Sequence, residues 1–228
     1  MDRTKDELPI NPLPGVVWLL ALPIVLIEGL LGLGERGVIG GPGAIGWRSN
    51  AIERFGFFDS AFDWMLDNRL FPGEHLLRFV TYPFVHGSFT HALFVAVFIL
   101  ALGKFVGEVF RPWAVLAVFF GSAIVGACAY GLVLDDPYPL IGGYPAVYGL
   151  IGAFTFVRWA ILTRQGANGL PAFRLIGLLL AVQLLFSVLF GGNSQWLADV
   201  AGFGAGFLLS VLVSPGGTVR ALRRIRGL

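Results

Sequence analysis

Cysteine is nearly absent from this chain, and its one instance, Cys128, lies in an apolar stretch. No internal disulfide can form and no cysteine-rich metal site can be built. Histidine is almost as scarce: His75, His86 and His91 are the three present, and none follows residue 91. Any nucleophile that needs an imidazole base must find it in the first half of the chain. Charge is scarce too, at 13% of residues against about 25% in soluble domains. The basic residues form no patch interleaved with aromatics, so nucleic acid is not an expected partner. His86 and His91 stand five apart with no glutamate beside the first, which is not the i,i+4 pairing of a zinc protease. Neither a metal nor another cofactor is expected.

What fills the chain is apolar: 56% of its 228 residues are hydrophobic, mean hydropathy is +0.78, and the net charge is only +2. A bilayer core takes about 20 apolar residues per helix. Stretches of that kind cover residues 14–33, 84–107, 112–134, 142–163, 172–191 and 194–214. The expected fold is an all-α membrane protein with a six-helix domain over residues 14–214. A polar segment, 1–13, precedes it and a basic tail, 215–228, follows. The first apolar run is longer than the core of a signal peptide, so it reads as a retained helix. The lipid bilayer is the first expected partner.

Residues 34–83 separate the first two spans. There Trp47, Phe55, Phe58, Phe62 and Trp64 alternate with Glu53, Arg54, Asp59, Asp63 and Arg69. Rings mixed with charges suit the membrane–water interface, so this segment is expected to form short helices lying in the interface plane. A small soluble subdomain is the other possibility. The tail arginines 220, 223, 224 and 226, with Lys104, Arg111, Arg158, Arg164 and Arg174, all fall on one side of a six-span topology. The positive-inside rule then puts both termini in the cytoplasm of a multi-pass protein of a plasma or inner membrane. Glu28 lies deep in the first span, where it either snorkels outwards or lines a central cavity.

Small residues mark two spans. Gly142, Gly149 and Gly152 recur along the fourth, and Gly202 and Gly206 form a GxxxG pair in the sixth, extended by Ala198. Such stripes let membrane helices approach to backbone contact, so the fourth and sixth spans are expected to touch.

Taken in order, these features are a first helix, a loop carrying Trp47-Arg48, a second helix opening His86-x4-His91, the glycines of the fourth helix and the GxxxG of the sixth. The chain resembles the rhomboid family over nearly its whole length. The resemblance implies a six-helix bundle with a Ser–His dyad below its outer surface. The serine would lie in a Gly-x-Ser-Gly turn opening the fourth helix, the histidine one turn before GxxxG, and an oxyanion-stabilising His and Asn on the second helix. Carried over position by position, the serine is Tyr144, the glycine after it Pro145, the base Asp199 and the oxyanion asparagine Val95. His91, at the oxyanion histidine position, and His86 are kept.

No other pair replaces that dyad convincingly. Ser88, Ser122, Ser187 and Ser210 lie in or near spans without a turn that would expose a hydroxyl. Cys128 with His91 is a pairing on chain order alone, Lys104 belongs to the cytoplasmic end, and a Tyr144 phenol would depend on the weakly basic Asp199. The expected function is that of a pseudoprotease, which binds transmembrane segments of client proteins as inactive rhomboids do. The alternative is an intramembrane serine endopeptidase with a non-standard site. A transporter or channel is suggested only by Glu28, His91 and Asp199, without the internal repeats such proteins show.

Overall fold

The structure, a computed structural model, describes residues 12–190 and 194–214. The chain's tail arginines and most of segment 1–13 lie outside the described residues. Helices account for the fold: α1 (Gly15–Glu35), α2 (Trp47–Phe55), α3 (Asp59–Asn68), α4 (Gly73–Thr81), α5 (Phe89–Val109), α6 (Pro112–Val133), α7 (Tyr144–Arg164), α8 (Arg174–Phe190) and α9 (Trp196–Val213), with 3-10 turns at Gly41–Gly46, Tyr82–Phe84 and Leu170–Phe173.

Five of these, α1, α5, α6, α7 and α9, are long and apolar enough to cross a membrane. Six spans were expected. The difference is α8, apolar but only 17 residues long. The second span also begins later than hydropathy suggests. Residues 84–88 are apolar enough to extend the run, but Pro83 fixes a 3-10 turn and Ser88 caps the helix, its hydroxyl accepting the His91 N–H at 3.3 Å. His86 therefore sits in the lead-in to α5 and not on it. Likewise α7 starts at Tyr144, so Gly142 belongs to the turn before the helix and not to a helical stripe.

α7 is the central helix, buried along most of its length from Pro145 to Phe156, and it packs against α6 and α9. Glycine makes that approach possible. A Cβ on Gly206 would run into the backbone of Gly149, one on Gly202 into the Pro145 carbonyl, and one on Gly152 into the Phe203 carbonyl. On α6, a Cβ at Gly126 would lie 2.9 Å from the Ala198 carbonyl oxygen. Three backbones thus meet in one seam, which is where membrane helices gain dispersion contacts that lipid cannot supply. α1 pairs with α5, Val17 lying in the notch left by Gly103.

Helices α3 and α4 dock on the end of α6, and α2 packs on α1 and α4. Phe57, Phe62 and Phe79 form an edge-packed trio over Gly131, whose Cβ would lie 2.6 Å from the Phe62 ring. Phe57 and Leu140 exchange backbone hydrogen bonds of 3.1 and 2.8 Å, stitching this region to the strand-like lead-in of α7. Arg78 donates to the Glu53 and Gly56 carbonyls at 2.8 Å each.

Asp59 ties α3 to the α6–α7 loop by accepting the Asp136 N–H at 3.2 Å, while its other oxygen is buried with no partner among the described residues. Burial pushes this carboxyl above the usual aspartate range, against the pull of the Asp136 N–H, and Asp63, Asp135 and Asp136 push it the same way as burial. The folded state then holds this proton more tightly than the unfolded chain does. Its contribution is present below the unfolded value and is lost as pH rises through the folded one. Asp59→Asn is therefore expected to gain thermal stability relative to wild type as pH rises above the ordinary aspartate value of about 4. Melting curves in detergent read this directly; a wild-type advantage that grows with pH would contradict it.

Candidate functional site

The start of α7, the lead-in and first turns of α5, and the first turn of α9 converge at one end of the bundle. Gly142 has φ +87°, a conformation that favours glycine, and a Cβ there would collide with the His91 imidazole. Its N–H donates to the Tyr82 carbonyl at 3.0 Å, and the next N–H, of Gly143, reaches Nε2 of the buried His86 at 3.4 Å. The turn is thereby held against the two histidines. The His86 and His91 rings meet edge to face at 4.9 Å, and the His91 ring stacks on the Tyr144 ring at 4.9 Å with an interplanar angle of 19°.

Where a serine–histidine pair would need a hydroxyl within hydrogen-bond reach of an imidazole, these rings lie face to face. Nε2 of His91 is buried with no partner among the described residues. Val95 is fully buried and fills the space beside Gly143: a Cβ on that glycine would lie 2.7 Å from its Cγ1. Pro145 has no N–H to give, and the Gly143 N–H is taken by His86. The site therefore offers no free backbone donor at the residue after Tyr144.

Asp199 lies in the first turn of α9 and is 4% exposed. Its hydrogen-bond donor is not Tyr144 but Gln183 of α8, whose Nε2 lies 2.9 Å from Oδ2. The physical reason is the Tyr144–His91 stack, which holds the phenol ring against α5. Oδ1 of Asp199 and Oε1 of Gln183 are both buried and accept nothing among the described residues. Gln183 was missed by sequence reasoning, although a lone amide in an apolar helix was a signal available to it.

A second polar cluster braces the site from the side. Arg48 donates to both oxygens of Glu28 at 2.9 and 2.8 Å, to both of Glu35 at 2.6 and 3.0 Å, and to the His86 carbonyl at 2.7 Å. Hydrogen bonds to Glu28 first, then Glu35, raise the guanidinium above the ordinary arginine range. Glu28 does not snorkel; it is one arm of a buried ion pair and lines a cavity together with Glu35 and Arg48. Trp47, next to Arg48, covers Gly34 and Gly40, where added Cβ atoms would lie 2.9 and 2.5 Å from its indole. The described residues contain no group of His, Cys, Asp and Glu side chains arranged to hold a metal ion.

The structure thus brings together His86, His91, Val95, Gly142 and Tyr144 at one turn, with Asp199 on the neighbouring α9, and gathers Gly149, Gly152, Gly202 and Gly206 in the seam beneath. Trp47 and Arg48 stand to the side, joined to the turn through the His86 carbonyl.

Comparison with known proteins bears on this arrangement. The family model described as the Rhomboid domain matches residues 73–216, more than half of the chain and every element from α4 to α9. The chain is 31% identical over 137 residues to "Putative rhomboid protease YdcA" of Bacillus subtilis (strain 168), a match covering 59% of this chain and 66% of that protein, just under two thirds of its length. With its all-helical bundle, its glycine seam and a family match over most of its spans, the chain belongs to the rhomboid family.

Proposed function

We propose that this rhomboid-family protein does not cleave peptide bonds and instead binds membrane-spanning segments of client proteins. The observation that carries the reading is the stack of Tyr144 on His91: the helix start that would present a nucleophile presents a ring lying flat on an imidazole. Asp199, engaged with an amide, adds no histidine base, and no histidine follows residue 91. Losing a member of such a dyad removes several orders of magnitude of rate, and losing an oxyanion donor costs about 10²–10³-fold more. A bundle kept while its chemistry is replaced is suited to holding a helix without cutting it. In this reading α8 is the fifth of six spans, roughly 25 Å long at 1.5 Å per residue and accommodated by local thinning of the bilayer. Helices α2–α4 lie in the interface plane, and both termini face the cytoplasm.

A second reading has one observation in its favour: the Bacillus subtilis relative is named as a protease. An intramembrane serine endopeptidase would need a nucleophile outside the Tyr144 position.

Restoring the dyad separates the two. Tyr144→Ser with Asp199→His is expected to remain inactive on a transmembrane reporter, because Pro145 and Val95 still deny the oxyanion its donors. Adding Pro145→Gly and Val95→Asn is expected to be necessary before cleavage is seen. Robust cleavage by the double variant alone would show that the oxyanion site had been intact throughout.

A further inference from the structure

Asp199 is an intramembrane carboxyl with half of its hydrogen-bonding capacity idle. Oδ2 is met by Gln183; Oδ1, and Oε1 of Gln183 beside it, are buried acceptors with no donor among the described residues. Burying such atoms unpaired is costly, more so in a bilayer than in a soluble core. The site therefore presents acceptors only, and what would satisfy it is a group with several N–H donors.

No cation in the described chain supplies them. Both ion pairs among the described residues belong to Arg48. Lys104, Arg158 and Arg164 lie towards the C-terminal ends of α5 and α7, whereas Asp199 lies beside the N-terminal end of α7, where Gly202 meets Pro145. Arg174 opens α8 more than two turns before Gln183, and Arg111 precedes α6, whose far end, at Gly126, is the part that meets Ala198.

The way in is the outer half of α8. Its first half is anchored: Ile176 is buried, and Leu175, Leu179 and Leu180 pack on the core. Beyond Leu180 the helix turns apolar side chains outwards, with Val182, Leu185 and Leu189 at 43, 55 and 63% exposure. Among the described side chains, Gln183 is the one polar tie between this half of α8 and α9. A single amide hydrogen bond holds the seam at the point where the idle acceptors sit.

We propose that Asp199, with the Gln183 carbonyl, recognises a lysine or arginine in the membrane-spanning segment of a client protein, which enters between α8 and α9 and replaces the Gln183 amide as donor to the carboxylate. The inference rests on the client-binding reading above and names the client's chemistry: a helix with one basic residue in the third of the bilayer nearest the start of α9. A cation in that position is expensive in lipid and gains a partner only here, so it confers selectivity as well as affinity.

The test uses the full chain in nanodiscs and two synthetic transmembrane helices of leucine and alanine, one carrying a single lysine in that third and one with leucine there. Binding is read by fluorescence transfer. The lysine helix is expected to bind roughly tenfold more tightly than its leucine counterpart, a typical scale for one polar pairing between membrane helices. Asp199→Asn should erase the difference while leaving the leucine helix unaffected. Gln183→Glu, which replaces the competing donor with a second acceptor and keeps the oxygen that meets the cation, should keep or widen it, and this variant does not depend on an altered α9. Equal binding of both helices to wild type, or a preference that survives Asp199→Asn, overturns the inference and leaves client binding standing. If neither helix binds, the client-binding reading falls with it.

Discussion

Gly206→Leu is expected to cost the bundle at least about 3 kcal/mol, the upper part of the range for overpacking, because the added side chain meets backbone on the facing helix. The Cβ alone would already collide with Gly149, whose own Cβ would collide with the Ser122 side chain across α6. The neighbours that would have to give way are main-chain atoms of α7, the most buried helix, so no rotamer change relieves the clash. Gly202→Leu should behave alike, since its Cβ would strike the Pro145 carbonyl. The control must be chosen with care. Leu209 reads from sequence as lipid-facing, yet it lies against Gly121 and packs on the core. Leu208, 66% exposed on the same helix, is the position where Leu→Ile should be nearly silent. Thermal unfolding in detergent checks all three. Glycine variants as stable as wild type would mean that α7 and α9 do not touch through their backbones.

The second large effect concerns Arg48. Its side chain is 10% exposed and that of Glu28 is 5% exposed. Arg48→Ala leaves Glu28 buried without a counter-charge, and breaking a buried pair from one side costs about 3–5 kcal/mol. Glu35 contributes less, being 38% exposed and so screened by solvent. The expected signature is asymmetry. Arg48→Ala alone should be strongly destabilising, while Arg48→Met combined with Glu28→Gln should recover much of the loss, because no unpaired charge then remains. The same guanidinium holds the His86 carbonyl, so the single variant should also loosen the turn before α7. Proteolytic susceptibility of residues 34–83 would report this; equal susceptibility of wild type and Arg48→Ala would exclude such bracing.

Five of the spans were legible because each is a long apolar run, and lipid solvation imposes that pattern whatever the tertiary contacts. Helix ends were less legible. The runs of α5 and α7 continue into Pro83–Val85 and Ile141–Gly143, which are apolar or small but turn-forming, and hydropathy does not separate a buried turn from a helix. Ser88 as a cap and Gly142 as a left-handed turn residue were readable signals that a hydropathy reading passes over. The length of α8 was overestimated for a similar reason: Ala172 and Phe173 belong to a 3-10 turn.

The polar partnerships were the least legible part. Glu28 and Arg48 are 20 residues apart on different elements, and Gln183 and Asp199 are 16 apart. Nothing in a local pattern pairs them; only the tertiary fold, which packs α1 against α2 and brings Gln183 of α8 within reach of α9, does. The sequence did mark Glu28 and Asp199 as costly residues needing partners, which is as far as a local reading extends.

With tyrosine and aspartate at these two positions, the rhomboid bundle proposed above is expected to do no peptide hydrolysis. The direct measurement is cleavage of a fluorogenic transmembrane reporter by the purified full chain in liposomes, with fluorophosphonate labelling alongside. Cleavage no greater than in empty liposomes and no labelled band are expected. Time-dependent cleavage by wild type that disappears in Tyr144→Phe or Asp199→Ala would contradict it.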